Sequence, residues 1–305
     1  MSARLARAFA PGHITGLFRI HDSSKEPLYS GSTGAGFSVL AGTTTTVSLL
    51  ESKSLDMVVE YNKKRIDAPV TTTVVRTLAE QYDQTFSAHI EHESSIPIGV
   101  GFGASGAGAL STALALGRLL DPKMTRSRAA GFAHCAEVVN HTGLGDVIGQ
   151  FKGGVEVRTH PGAPGIGRIV SIPYDKELRV VLAGGEGLNA KRAALTDAAW
   201  HDRINQAADK LVESVETHRS LSMLVACSRR FAEAAGFATA RVTSGLDMLD
   251  SAGLGLSAQV MLGDSIFCFC TEETTGTAVS ILSNLWEPHE VMVTSVAAKG
   301  GQVIG

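Results

Sequence analysis

The sequence has few of the features that mark secreted, membrane-spanning or polyanion-binding proteins. Its 305 residues include only four cysteines, too few and too scattered for a disulfide framework or a zinc site. The net charge is −3, so no basic excess indicates nucleic-acid binding. No apolar run approaches the roughly 20 residues that cross a bilayer, and Pro11 and Gly12 interrupt the N-terminal segment before a signal-like core forms. We therefore expect a cytoplasmic protein with no membrane or nucleic-acid partner.

The length and composition allow a sizeable core and two domains. Hydrophobic residues make up 44% of the chain, and a protein of this size forms two domains or one large one. A stretch rich in proline and glycine, residues 161–167, lies among patterns typical of short strands. We place the boundary there and predict an N-terminal domain over residues 1–165 and a C-terminal domain over residues 166–305.

The second half of the chain has the pattern of a split βαβ layer. Residues 178–182 predict a strand, and residues 192–235 are mostly helical. A hairpin around residues 263–264 follows, then a helix over 275–286 and a closing strand over 291–297. This order of elements predicts an α+β fold.

A glycine-rich loop followed by a helix is the stretch most informative about function. Five glycines fall within ten residues, and residues 109–120 have the pattern of a helix. Such a loop places bare backbone amides and the positive end of the helix dipole against an anion. The residues expected to hold phosphate are Pro97, Gly99, Gly101, Gly103, Ala104, Ser105, Gly106, Ala107 and Gly108. Ser105 stands where an N-cap is expected, so its hydroxyl either caps a tightly packed turn or reaches a phosphate or a metal.

The same loop also contains the dinucleotide-binding pattern G-x-G-x-x-G, at Gly101, Gly103 and Gly106. A dinucleotide fold requires a buried parallel strand just before the loop and an acidic residue about 20 residues later. Here the preceding strand alternates polar and apolar residues, and the nearest downstream acid is Asp121. The context disfavours an NAD-dependent oxidoreductase, which stays the alternative class of enzyme.

A second predicted helix, residues 127–141, carries three metal-ligating side chains on one face. His134, Glu137 and His141 stand at positions i, i+3 and i+7. They could form a three-ligand hydrolytic site, or Glu137 could hold Mg²⁺ together with phosphate oxygens. A solvated polar stripe is the structural alternative.

Asp146 and Arg158 are the remaining candidates for chemistry. Asp146 lies in a glycine-flanked loop, where it could deprotonate a substrate hydroxyl or merely cap a turn. Arg158 lies in a predicted strand and, if it faces inward, could clamp a carboxylate or a transferred phosphate. Amides, a metal carboxylate, an acid near a hydroxyl and a cation together predict phosphoryl transfer.

Two glycine-containing segments near the N-terminus also stand out. Residues 6–18 alternate as a strand but are interrupted by Pro11-Gly12-His13, which predicts an edge or a bulge. Residues 31–36, Gly-Ser-Thr-Gly-Ala-Gly, predict a second glycine-rich turn between strands.

Taken together, these motifs resemble those of the GHMP kinases. Residues 97–107 are similar to the phosphate-binding motif Pro-x-x-x-Gly-Leu-Gly-Ser-Ser-Ala-Ala of that family. The segment with Pro11-Gly12-His13 resembles its first motif, and Gly253-Leu254-Gly255 its third. The wording PGHITGLF, GSTGAGFSV, IPIGVGFGASGAGAL and TGLGDVIGQFKGGVEVR resembles the archaeal pantoate kinase branch. The resemblance covers most of the chain and is strongest over residues 11–158.

The resemblance implies a fold, a reaction and roles for single residues. The fold would be the two-domain α+β GHMP kinase fold, with a mixed-sheet N-terminal domain and a ferredoxin-like split βαβ C-terminal domain. ATP with Mg²⁺ would phosphorylate the primary hydroxyl of D-pantoate in coenzyme A biosynthesis. The implied catalytic residues are Asp146, Ser105 and Glu137, the metal ligands Ser105 and Glu137, and the substrate-binding residues His13, Ser32 and Arg158.

Three points stay open at the level of sequence. Ala104 and Phe102 replace a serine and a leucine of the phosphate-binding motif, and the third motif lacks its usual preceding lysine. Homoserine or mevalonate are alternative acceptors, and a non-catalytic relative would keep the fold without the chemistry. A homodimer is the default expectation for the oligomeric state.

Overall fold

The computed structural model describes residues 3–185, 197–261 and 263–304, which form two β-sheets with helices packed against them. The strands are β1 (Arg4–His21), β2 (Gly31–Glu51), β3 (Asp56–Tyr61), β4 (Lys64–Arg65), β5 (Phe86–Ser94), β6 (Val155–His160), β7 (Arg168–Ile172), β8 (Arg179–Gly184), β9 (Ser257–Gln259), β10 (Ser265–Cys270), β11 (Val291–Ser295) and β12 (Gln302–Val303). The helices are α1 (Pro69–Gln81), α2 (Ala104–Leu120), α3 (Arg126–Val139), α4 (Asp146–Lys152), α5 (Ala198–Ala207), α6 (Leu211–Thr217), α7 (Leu221–Ala235), α8 (Ala240–Ser251) and α9 (Glu272–Leu282).

The first sheet is built on two long antiparallel strands, β1 and β2. Its order is β12-β1-β2-β5-β3-β4, and β6 and β7 extend it from the opposite end of β2. Strand β3 runs parallel to β5, whereas β1, β2 and β6 pair antiparallel. The sheet is therefore mixed, which confirms that part of the fold prediction.

The register of β1 against β2 shifts between Pro11 and Gly12. This shift confirms the bulge predicted there and turns the following residue, His13, into the interior.

The prediction of a glycine-rich turn over residues 31–36 is wrong, because these residues open strand β2 and pair with β1. Their glycines serve a different purpose. A Cβ at Gly34 would lie 2.9 Å from Nη2 of Arg158, and one at Gly36 would lie 3.2 Å from the imidazole of His13. The missing side chains clear one face of the sheet for two large polar groups.

Helix α2 crosses the first sheet on β1 and β2 and is flanked by α1 and α3. It is buried along most of its length, where small alanine and glycine residues let the neighbouring elements approach closely. It begins at Ala104 rather than at residue 109, because Gly103 adopts a left-handed conformation with φ of 74° and serves as the N-cap.

The second sheet has the order β11-β8-β10-β9, and its pairs are antiparallel. Along the chain these strands are the fourth, first, third and second of the group, which is the arrangement of a ferredoxin-like split βαβ layer. The fold prediction is thereby confirmed. In the segment predicted to be helical, residues 192–196 lie outside the described residues, and α5, α6 and α7 follow.

The two sheets share one core. Alternate residues of β10 face opposite sides: Cys268 packs in a cluster with α8 and α9, whereas Phe267 and Phe269 face the first sheet. There the ring of Phe37, on β2, lies 5.1 Å from the ring of Phe267 and 4.7 Å from that of Phe269. The second sheet is therefore held against the first sheet by aromatic packing.

The domain boundary at residues 165/166 stays a prediction. Beyond it, β7 still pairs with β6 and β12 with β1, so both strands belong to the first sheet. Across the described residues, we find no helix with the length and hydropathy needed to cross a membrane.

Candidate active site

The glycine-rich loop has the conformation that its sequence demands. Gly99, Gly101 and Gly103 have φ values of 90°, 89° and 74°, a region in which residues with a Cβ are strained. In the first turn of α2, the amide of Ala107 donates to the carbonyl of Gly103 at 2.9 Å. The amides that precede it point out of the helix end, where an anion is favoured.

Ser105 does not cap this helix. It is the second residue of α2, after the N-cap Gly103, and its side chain is exposed at the loop. The prediction that it stands at the N-cap position is wrong, since the helix begins earlier than its apolar pattern indicates. Its hydroxyl instead donates to Oε1 of Glu137 at 2.5 Å.

Side chains from helix α4 and from the second sheet bind the backbone of the loop. Nε2 of Gln150, on α4, donates to the carbonyl of Gly103 at 2.8 Å, and Oγ of Ser265, on β10, donates to the carbonyl of Val100 at 2.8 Å. Phe102 is buried, and the absent side chain of Gly184, at the end of β8, leaves room for its ring. The phenylalanine in place of the family's leucine therefore contacts the second sheet.

Two adjoining recesses open at the loop. One, of about 440 Å³, is lined by Gly99, Gly101, Gly103, Ala104 and Ser105, together with Asn140, His141 and Thr142. The other, of about 250 Å³, is mostly apolar, and its lining includes Tyr61, Ile66, Pro69, Ile98 and Gly108. Gly106 and Ala107 are buried in the first turn of α2, and Pro97 is exposed at the start of the loop. Together the recesses offer an anion site beside an apolar one.

Glu137 lies beside the loop, but the histidines of its helix do not join it. Oε1 of Glu137 also accepts from the hydroxyl of Thr142 at 3.0 Å. His134 directs Nε2 at the carbonyl of Ser30, 2.9 Å away, and His141 lies beyond the end of α3 with φ of 54°. In the described part of the chain, the group of potential metal-ligating side chains that converges is Glu60, His89 and Glu91, on the first sheet. The three-ligand hydrolytic arrangement is therefore not formed.

Asp146 is the first residue of helix α4, rather than part of a loop as predicted, and Gly145 is its N-cap. Its side chain is 12% exposed. A Cβ built on Gly143 would lie 3.3 Å from Oδ2 of Asp146 and would also contact Oε2 of Glu137. The carboxylates of Asp146 and Glu137 therefore both lie close to Gly143, next to the loop.

Arg158 faces inward, as the carboxylate-clamp hypothesis requires, and is 1% exposed. Its Nη1 donates to Oε1 of Glu156 at 2.7 Å. Nε and Nη2, the other edge of the guanidinium, are buried without a hydrogen-bond partner among residues 3–185, 197–261 and 263–304. Nε of Arg158 and Oγ of Ser32 both flank Gly145, the residue before Asp146. Arg158 with Ser32 is therefore the candidate for a carboxylate clamp, and we call this pair the carboxylate clamp below.

His13 lies behind Asp146. Its ring is fully buried, with Nδ1 3.1 Å from Oδ1 of Asp146 and Nε2 2.9 Å from Oε1 of Glu156. Burial alone lowers the pKa of His13, but the facing carboxylates of Glu156 and Asp146 outweigh it, so the pKa is raised. The structure thus brings Asp146, His13, Arg158 and Ser32 into one cluster.

Several residues of this arrangement were not predicted from the sequence. Glu156 precedes Arg158 by two residues on one strand, so their side chains share a face, and this alternation could have identified it. Gln150 and the apolar recess residues come from separate segments without a motif. The glycines of the third motif, Gly253-Leu254-Gly255, form the turn that ends α8: the amide of Leu254 donates to Leu249, and Gly253 has φ of 77°.

Comparisons with known proteins show which family the chain is similar to. Residues 70–154, which contain the loop, Glu137 and Asp146, match the model of the GHMP kinases N terminal domain. The chain is 33% identical over 292 residues to a pantoate kinase of Thermococcus kodakarensis, covering 94% of this chain and 95% of that one. It is 32% identical over 281 residues to a pantoate kinase of Methanocaldococcus jannaschii, covering 90% and 97%. A solved structure titled "Phosphotransferase related to CoA biosynthesis pathway" matches with a TM-score of 0.87 at 30% identity over 99% of both chains.

Proposed function

We propose that this chain, which belongs to the pantoate kinases within the GHMP kinases, transfers the terminal phosphoryl group of ATP to the primary hydroxyl of D-pantoate. The product is 4-phosphopantoate, an intermediate on the way to coenzyme A. The observation that supports this acceptor best is the free edge of Arg158 beside Asp146.

A guanidinium edge with two parallel N–H donors matches a carboxylate. Pantoate is a hydroxy acid with a carboxylate at one end and a primary hydroxyl at the other. Its carboxylate would accept hydrogen bonds from Nε and Nη2 of Arg158 and from the hydroxyl of Ser32. That placement directs the other end of the molecule toward Asp146 and the loop.

Asp146 is the proton acceptor in this proposal. As the hydroxyl oxygen of pantoate forms its bond to the γ-phosphorus, the bond from that phosphorus to the bridging oxygen of ADP breaks, and the hydroxyl proton passes to the Asp146 carboxylate. The amides at the start of α2 bind the phosphate oxygens and stabilise their charge. Phosphoryl transfer requires mainly that the hydroxyl and the γ-phosphate are held in line and that the phosphate charge is stabilised.

The donor set beside the loop fits a magnesium ion. Ser105 and Glu137 present a hydroxyl and a carboxylate oxygen 2.5 Å apart, and hard oxygen ligands of this kind suit Mg²⁺ when phosphates supply the rest. We propose that these two side chains hold it. When bound, Mg²⁺ neutralises charge on the phosphate oxygens of ATP.

The apolar recess beside the loop suits the nucleotide base. It adjoins the phosphate site at Ala104 and Ser105, and the side chains of Tyr61, Ile66 and Ile98 line it. A planar base buried against such side chains would fix the orientation of ATP with its phosphates over α2.

The proposed function is tested by ADP release with ATP and Mg²⁺ against D-pantoate, homoserine, mevalonate and shikimate. We expect turnover with D-pantoate alone. Turnover with another acceptor would keep the kinase chemistry but replace the substrate. Thermal stabilisation by ATP that depends on Mg²⁺, about 2.7 kcal/mol at a hundredfold excess over Kd, would separate a kinase from an NAD enzyme. ATP binding without any turnover would favour a non-catalytic relative.

Replacing Ser105 by alanine should weaken the handling of MgATP. A hydrogen bond to a charged group contributes about 1.5–3 kcal/mol, so kcat/KM for ATP should fall by about 10- to 150-fold, with a higher Mg²⁺ requirement. Steady-state kinetics at varied Mg²⁺ measure this effect. Ser214→Ala is the control, because Ser214 is a half-buried helix residue whose hydroxyl donates to the carbonyl of Lys210, the N-cap of its own helix. Wild-type kinetics in the Ser105 variant would show that this hydroxyl is not used.

A further inference from the structure

Four ionisable side chains form one continuous buried chain of contacts behind the proposed site. Asp146 contacts Nδ1 of His13, and Nε2 of His13 contacts Glu156. The same oxygen of Glu156, Oε1, accepts from Nη1 of Arg158 at 2.7 Å. This series of contacts therefore connects the proposed proton acceptor, Asp146, at one end to the carboxylate clamp at the other.

Two glycines leave the space that this series of buried side chains occupies. His13 is flanked by Gly36 of β2 and Gly149 of α4, and a Cβ on Gly149 would collide with the imidazole. Because the ring is fully buried and each nitrogen has a carboxylate partner, it has no face left for a substrate. The assignment of His13 to direct substrate binding gives way here to a different role.

The charges of these four side chains alternate in sign along their series of contacts. Asp146 and Glu156 are acids, whereas His13 and Arg158 are bases, and the raised pKa of His13 favours its protonated form. Two buried carboxylates without that cation would repel one another, since unpaired charges are costly in the interior. A protonated imidazole between them would hold both carboxylates at fixed positions, with one ring nitrogen facing each carboxylate.

Building on the proposed function, we propose that His13 and Glu156 are positioning residues that join the proton acceptor to the carboxylate clamp. Glu156 fixes the guanidinium so that Nε and Nη2 face the acceptor, and His13 fixes the carboxylate of Asp146. When Arg158 binds the substrate carboxylate, the substrate hydroxyl is then positioned next to Asp146, because the four side chains form one rigid assembly.

The two nitrogens of His13 can be tested separately with two amides. Asparagine can replace the donor at Nδ1, and glutamine the donor at Nε2. We expect His13→Asn to keep kcat within about fivefold while the Kd and KM for D-pantoate rise about 10- to 100-fold, because the contact with Glu156 is lost. In His13→Gln the pattern should reverse, with kcat lowered about 10- to 100-fold and acceptor affinity within about threefold.

A purely structural role for His13 would not produce this crossed pattern. It would change kcat and acceptor KM alike in both variants, or affect ATP as well, and either result would overturn the proposal. The KM for ATP should stay within about twofold. His89→Asn and His89→Gln are matched controls, because His89 faces Glu60 at 3.5 Å on a half-exposed part of the first sheet, and neither should alter any parameter.

Glu156→Asp provides a second test that survives a folding failure of the His13 variants. It keeps the charge but draws the carboxylate back from both His13 and Arg158. We expect a lower kcat together with a weaker acceptor affinity, each by about tenfold or more, at an unchanged KM for ATP. Wild-type values for kcat and acceptor KM would overturn the proposal. Activity of the unmodified protein on D-pantoate is measured first. If the unmodified protein has no activity, the proposed function is wrong, and the result does not bear on the positioning role of His13 and Glu156.

Discussion

Replacing Asp146 by asparagine should lower kcat by about 10²- to 10⁴-fold, or about 2.7–5.4 kcal/mol of transition-state stabilisation. The amide has nearly the same shape, and its oxygen can still accept from His13, so the local structure is kept. What the variant loses is a group able to take the proton of the acceptor hydroxyl. The Kd for ATP, measured by calorimetry, should change by no more than about threefold.

The matched control for this variant is Asp83→Asn. Asp83 is exposed in the turn between α1 and β5, and its φ of 48° suits asparagine, so the change removes one charge without strain. Its kinetics should equal those of the unmodified protein. If Asp146→Asn retained turnover within tenfold of wild type, Asp146 would be a helix-terminal residue rather than the proton acceptor.

The parts of the fold that could be predicted are those with local signals. The glycines before α2 need positive φ values, and the structure has them at Gly99, Gly101 and Gly103. The order of strands and helices in the second half predicts a split βαβ layer, because hairpin and crossover connections leave few alternatives, and the order of the second sheet confirms it. In both cases neighbouring residues decide the conformation.

The errors arose where distant residues decide the conformation. Residues 31–36 have the composition of a turn, yet they form a strand because Gly34 and Gly36 face Arg158 and His13 across the sheet. The predicted start of α2, at residue 109, is five residues too late for a related reason. Its first turn is rich in glycine, and it is helical because Gln150 and the second sheet hold the loop before it.

The candidate site shows the same division. Ser105, Glu137 and Asp146 could be proposed as site residues because each lies in or near a motif, although their relative positions could not be predicted. Glu156 was not predicted because sharing a strand face with Arg158 does not by itself give it a role. Its role depends on the contacts of its carboxylate with His13 and Arg158. Chemistry could be inferred from residue type, but the connections between groups required the structure.

Arg158→Lys should be the variant with the largest effect on acceptor recognition. Lysine keeps the charge but offers one compact ammonium, which cannot contact Glu156 and also present two parallel donors to a carboxylate. Removing one partner of a buried charge pair costs about 2–5 kcal/mol, so kcat/KM for D-pantoate should fall by about 30- to 5,000-fold, mainly through KM. The KM for ATP should be unaffected.

The amide of D-pantoate makes the origin of that loss measurable. The unmodified protein should prefer the acid to the amide strongly, whereas Arg158→Lys should discriminate between them much less, because the paired donors that recognise the carboxylate are gone. Arg179→Lys is the control, since Arg179 pairs with Glu272 on an exposed part of the second sheet. Equal losses for acid and amide in Arg158→Lys would mean that Arg158 supports the buried chain without binding the acceptor. A loss confined to the acid would mean that the edge left open by Glu156 is where the carboxylate binds.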